Sequence, residues 1–299
     1  MLSLRTVSVI RVAMIATAML SCALLASCSK GPKQALRLNL TPGNTYVLSI
    51  RTTADSVLTS PDGNNLPIPT SSVNAFSLLV GDVDDHGDLF VTADPEETEF
   101  PLVFVPLASI FNTYSFGIKL SPVGRISEFV NTDAVREGVR ESLTALGSGV
   151  TTFGSTPPDT AIALISDDAL RAIIEPITSI WPETPVAPGD EWTGPEIYTP
   201  TSHTITSSRY RLESSSDSDV KIHVELEIRP AGEHARDPNL LPPGEVSGKG
   251  SGDIRVDPSS GTIRSYEVSQ ETSGTIQSAE GVIYNVTATQ RTQAELTAR

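Results

Sequence analysis

Apolar residues recur at every second position through much of this chain, the spacing of strands that bury one face. In 35–40, Leu36, Leu38 and Leu40 share a face, so the segment is expected to be a strand. Thr41-Pro42-Gly43-Asn44 reads as a turn and 45–53 as the returning strand. Residues 58–70, dense in Pro, Gly and Asn, read as a loop. Segments 74–83 and 88–94 flank a turn at Asp84-Asp85-His86-Gly87; segments 115–120 and 125–130 flank another at Ser121-Pro122-Val123-Gly124. Further strands are expected near 203–213, 219–229, 245–256, 262–273 and 281–290.

The period changes midchain. Val135, Val139, Leu143 and Leu146 form a helical stripe over 132–147, with Thr132 as cap and Gly147 just past the end. A second helix is expected after Ser166, with Asp167 and Asp168 favouring its positive N-terminal dipole and Pro176 kinking or ending it. The pattern predicts a mainly β (α+β) protein: one or more curved antiparallel sheets, or a half-barrel, with helices inserted midchain.

An internal repeat is one reading of the order of turns. Residues 41–46, Thr-Pro-Gly-Asn-Thr-Tyr, resemble residues 187–192, Ala-Pro-Gly-Asp-Glu-Trp; Gly124 to Phe129 resembles Gly261 to Tyr266. On this reading 36–150 and 183–299 are two related lobes. The other reading is that such turns recur in any β protein.

The N-terminus reads differently from the rest. Arg5 and Arg11 precede an apolar run that ends in Leu25-Ala26-Ser27-Cys28, and polar residues follow. This is the layout of a secretory signal peptide over 1–27. Its last four residues resemble a bacterial lipobox, which implies lipidation at Cys28, a tether over 28–35 and an extracytoplasmic domain over 36–299. The resemblance further implies, from Ser29, the outer membrane rather than the inner. Two or more acyl chains would make that anchor durable.

Composition narrows the partners. The net charge is −15, and loss of 1–27 removes two arginines and no acid, leaving the remainder more negative. That argues against nucleic acid and against electrostatic docking on anionic lipid. With Cys22 removed and Cys28 lipidated, no disulfide or thiolate chemistry remains. No cofactor or metal is expected.

Candidate chemistry is sparse. Asp82, Asp84 and Gly87 have the spacing of a calcium loop, but His86 sits at a ligand position and Ala93 replaces the closing glutamate. The bland reading is a polar hairpin tip. His86, His203, His223 and His234 show no metal spacing, and no nucleophile elbow is present. Gly248, Gly250 and Gly252 share one strand face, either as a trough for an apolar ligand or as a bend in a strongly curved sheet. Trp181 and Trp192 bracket a proline-rich segment that either pins a loop or forms a platform.

The lipobox, the turn at Pro42-Gly43-Asn44-Thr45-Tyr46, the segment Pro182 to Trp192 and the hairpin at Asp257 to Ile263 together resemble an uncharacterised family of bacterial lipoproteins. That resemblance implies no activity and no site residues. The layout is also similar to that of lipoprotein carriers built as a curved sheet covered by helices. Two roles stay open: a non-catalytic binding or carrier module for an apolar ligand, and an envelope lipoprotein that engages a protein partner. An enzyme is not expected. A trough filled by side chains from 132–180 would favour the second role, and a trough left open the first.

Cys28→Ser should abolish lipidation and release the protein from the membrane. Fractionation with radioactive palmitate checks this, and continued labelling of the variant would sink the anchor.

Overall fold

Side-chain alternation builds nearly the whole molecule. The computed structural model describes residues 32–98, 109–146, 162–232, 244–278 and 281–299. The signal peptide, Cys28, the loop 148–160 and Gly147 lie outside the described residues. Described strands are β1 (Thr45–Thr59), β2 (Asn65–Val83), β3 (Leu89–Thr98), β4 (Phe116–Leu120), β5 (Ile126–Val130), β6 (Glu191–Thr193), β7 (Ile197–Thr199), β8 (Thr204–Ser215), β9 (Val220–Pro230), β10 (Glu245–Val256), β11 (Ile263–Gln277) and β12 (Ile283–Ala298). Helices α1 (Thr132–Leu146) and α2 (Asp167–Thr178) interrupt them.

All twelve strands form one antiparallel sheet in the order β5-β4-β3-β2-β1-β12-β11-β10-β9-β8-β6, with β7 also on β8. The last strand therefore joins two meanders, pairing with β1 from Tyr46↔Ala298 to Thr59↔Asn285 and with β11 on its other side. Leu48, Phe76, Val91, Ile118, Leu212, Ile222, Ile254, Tyr266 and Leu296 all join one core cluster. A single core fed by strands from both ends of the order requires the sheet to curl around it. Residues 34–299 cluster as one unit that contains this entire core, so this part carries what it needs to fold alone.

Two segments depart from expectation. Residues 35–40 are extended, with Leu36 and Leu40 buried, but are not a strand. Only Gln34 makes a bridge, to Val186, while Asn39 N–H donates to Ser260 O at 3.0 Å. Alternation marks a buried face, not a paired edge. Residues 58–70 are not a loop either; they complete the β1–β2 hairpin around a short turn. Pro67 and Pro69 are tolerated because residues two apart aim their nitrogens at the same edge. Among the described residues, β3 pairs with β2 only from Asn74 onward, so neither missing N–H is needed there.

The two Pro-Gly turns share one hydrogen-bond pattern. Gly43 N–H donates to Val80 O (2.8 Å) and Val80 N–H to Asn44 O (3.0 Å); Gly189 N–H donates to Leu212 O (2.7 Å) and Leu212 N–H to Asp190 O (3.0 Å). Both glycines have φ above +80°, where a side chain is strained.

Helix α2 starts as expected, with Ser166 accepting from Ala169 N–H at 3.3 Å. Pro176 lies inside it, and the helix ends two residues later at Thr178. Thr132 does something other than cap its own helix. It is buried, and its hydroxyl donates to Asp167 Oδ1 at 2.7 Å, tying the start of α1 to that of α2. Arg136 reinforces the link at 2.8 Å to the same carboxylate.

The glycine run on β10 packs against backbone. A Cβ on Gly252 would clash with Glu267 O, one on Gly248 with Glu271 O, and one on Gly250 would lie 2.8 Å from Gln270 Cβ and 2.9 Å from Ser269 O. These glycines let β11 approach β10 closely, as in a bent sheet. Gly250→Val should cost about 1–3 kcal/mol by overpacking. Thermal denaturation checks it, and an unchanged melting temperature would refute this packing.

Candidate ligand cavity

Strand register sorts strand side chains to one of two faces, and among the described residues the inner face of the sheet carries no charge. One row across the sheet runs Asn74, Ile50, Ala294, Tyr266, Ile254, Ile222, Leu212. It belongs largely to the packed core. Two rows further along the strands the composition changes to Thr70, Ala54, Gln290, Gln270, Gly250, Leu226, Ser208. The next row is Ile68, Ser56, Ala288, Thr272, Gly248, Ile228, Thr206. Apart from Leu226, Ile68 and Ile228, small, hydroxyl and amide side chains replace bulky aliphatic ones, so the interior is filled at one end and partly hollow at the other.

The hollow is roofed by α2. Ala169, Ala172, Ile173, Pro176 and Ile177 face Thr52, Asn74, Val268, Gln270, Gln290 and Thr292 across a cavity of about 540 Å³. That volume falls in the range of small-molecule sites. Among its described lining residues there is no Asp, Glu, Lys, Arg, His or Cys. Burial pushes the phenol of lining residue Tyr266 upward, so it too stays neutral; the neighbouring Tyr210 phenol is pushed up to about 12 by burial. Recognition here is limited to dispersion and to hydrogen bonds from hydroxyls and amides.

Helix α2 stands over the hollow tied to the β5 edge, and the residues just after it are tied to β6. Glu175, almost fully buried, accepts from Ile126 N–H of β5 at 3.1 Å. Arg171 donates to Ile126 O at 2.6 Å and pairs with Glu175 at 3.2 Å. At the other end of the strand order, Trp192 of β6 donates its indole N–H to Ile180 O at 2.9 Å and stacks on Tyr210. Trp181 is buried in the core, so both tryptophans pin this segment.

The remaining sequence candidates are dispersed. Gly248, Gly250 and Gly252 do not line the cavity; Gly248 and Gly250 instead border an open groove of about 1200 Å³ on the outer face, beside Asp55, Glu227, Lys249 and Glu271. Their expected trough is occupied by the β11 backbone. Asp84 accepts from the backbone N–H groups of His86 and Asp88 and lies 2.7 Å from Lys119 Nζ, so an ammonium already meets this carboxylate. His203 is held through both ring nitrogens, by Tyr198 Oη at 3.1 Å and Gly232 O at 2.9 Å. Register also brings Glu213, His223 and Asp253 together, a set that sequence spacing could not reveal. Lys221 sits 2.8 Å from Glu213 and 3.1 Å from Asp253, already supplying a cation. The cavity's own residues were missed by motif reading. Their signal was the run of Thr, Gln and small residues at even positions of β11 and β12.

The chain belongs to a family of unknown function, DUF6263, whose profile matches residues 88–263. No curated protein matches it. Two solved structures are similar in part. A lipovitellin structure, titled for lipid–protein interactions, shares 13% identity over 87% of this chain and 25% of its own, with a TM-score of 0.45; this chain thus spans about a quarter of that protein's length. Ail, the attachment invasion locus protein of Yersinia pestis, shares 7% identity over 85% of this chain and 98% of its own, with a TM-score of 0.16. Neither likeness is close enough to carry a functional argument.

Lys119 holds the Asp84 carboxyl down at about 2, below its ordinary 3.8. Since the folded value is the lower one, the pair's stabilising effect is complete above pH 3.8 and fades as pH falls toward 2. In Lys119→Met the carboxyl should titrate nearer 3.8 by NMR; an unmoved titration would show that the turn's own N–H groups suffice.

Proposed function

We propose that this DUF6263 protein is a non-catalytic binding or carrier module for an apolar ligand, exported and held by lipid at Cys28, on the outer membrane rather than the inner. The observation that carries the reading is the cavity: α2 roofs the inner face but leaves it partly unfilled, and among the described residues no charged side chain lines it. An ionised ligand group would find no counter-charge inside, whereas an uncharged chain or ring would replace poorly solvated space. Among the described lining residues the one perturbed titratable group is the Tyr266 phenol, raised by burial and so held neutral, which supports binding rather than catalysis. The outer groove, with Asp55, Glu227, Lys249 and Glu271 among serines and threonines, supports the second reading, an envelope lipoprotein that engages a protein partner.

Residues 34–299, produced in a bacterial host, should show by native mass spectrometry a bound apolar adduct that is lost on denaturation. Ala172→Trp places an indole in the cavity and should remove the adduct while the fold survives. A clean apo mass for the parent protein, or an adduct unaffected by Ala172→Trp, would overturn the cavity as its site.

A further inference from the structure

The two central hairpins outrun the core. From Ile50, in the packed row, to Leu58 near the end of β1 is eight residues, or about 26 Å at ~3.3 Å per residue. The β1–β2 and β11–β12 hairpins end side by side, because β1 pairs with β12 as far as Thr59↔Asn285. Leu66 on one tip is 59% exposed, and Val282 and Ile283 on the other are 38% and 57% exposed. Leu66, Leu58 and Val286 form one continuous cross-strand row.

Charge is nearly absent from these tips, on a chain of net charge −15. Between 56 and 70 the only ionisable residue is Asp62, and its carboxylate is tied to Ser60 and accepts from Asn64 at 2.6 Å. Between 272 and 290 the only acid is Glu280, and there is no Lys or Arg. Exposed aliphatics without basic residues suit a neutral, apolar surface and not an anionic one. The uncharged inner rows lead without interruption from this rim, through Ile68, Ser56 and Ala288, to the cavity.

We propose that the paired hairpin tips around Leu66, Val282 and Ile283 are a membrane-docking edge that inserts into the surface of an electrically neutral bilayer. Choosing a bilayer over a protein rests on the carrier reading, since the uncharged inner face then runs from bilayer to cavity. The tips also lie opposite the chain's entry point. Gln34 bridges Val186 and bonds to Ser215 at the β8–β9 end, while β1 runs from Thr45 there toward the tips.

Residues 34–299 are floated on a density gradient with phosphatidylcholine vesicles, and with vesicles that also hold phosphatidylglycerol. The parent protein should float with the neutral vesicles and less with the anionic ones. L66D/I283D should lower the bound fraction about tenfold or more, equivalent to a loss of at least ~1.4 kcal/mol. Leu79→Asp removes a similarly exposed residue away from the tips, 47% exposed, and should float like the parent. Equal melting temperatures for all three exclude misfolding. No flotation of the parent, equal flotation of the tip variant, or stronger binding to the anionic vesicles would overturn the docking edge. Native mass spectrometry of the same samples separates the two ideas. A protein that floats but carries no adduct loses the carrier reading and keeps the edge; one that carries an adduct but does not float loses the edge alone.

Discussion

The interior of this protein depends on how an unclosed sheet satisfies its edges. Twelve strands that do not meet leave unpaired N–H and C=O groups at both ends of the order, and such groups template aggregation or cost free energy when buried. Here a helix answers. Glu175 accepts from Ile126 N–H, and Arg171 donates to Ile126 O. The two side chains also pair with each other, so the buried charge of Glu175 is not left alone. The same chain segment then gives Ile180 O to Trp192 on the far edge strand. One stretch of roughly two dozen residues, 167–192, thus satisfies the backbone of Ile126 on one edge strand and holds the indole of Trp192 on the other.

That solution creates the cavity. The segment that carries α2 is tied to β5 through Glu175 and to β6 through Ile180, and the sheet face across the cavity mixes Thr, Ser, Asn and Gln with Ile50, Leu226, Ile228 and Val268. The core half of the sheet, from Leu48 to Leu296 and Ile254, is packed by large side chains. The other half is hollow. A 540 Å³ space between them follows from a change in side-chain volume along the strands, at constant register. The proposed carrier function is a reading of this gradient, and the proposed docking edge a reading of where it ends.

Charge is distributed by the same rule. Period-two alternation sends Asp253, Lys221, Glu267 and Arg291 outward, where they pair across strands, and leaves the inner face neutral. Exposed pairs of this kind contribute little to stability. Among the described residues the buried carboxylate, Glu175, sits on α2 and not on a strand, and it is paired with Arg171. The acidic turn at Asp84 follows the same logic, since this carboxylate is met by Lys119 from the neighbouring hairpin.

Local pattern alone determined most of the strands, both helices and the turns at Gly43, Gly87, Gly124 and Gly189, because each is fixed by spacing or by a backbone angle within a few residues. It failed at 35–40, where alternation reported burial but could not report the absence of a pairing partner. It failed again at 58–70, where two prolines looked like a loop but lie on a side of β2 that β3 does not pair with there. The glycines of β10 were legible as an oddity; that they admit the β11 backbone is a fact about a neighbour the sequence does not name. Likewise the cavity joins residues as far apart as Thr52, Ala172 and Thr292, and its existence turns on register and on where α2 comes to rest. Those are decided by long-range pairing, which no local window contains.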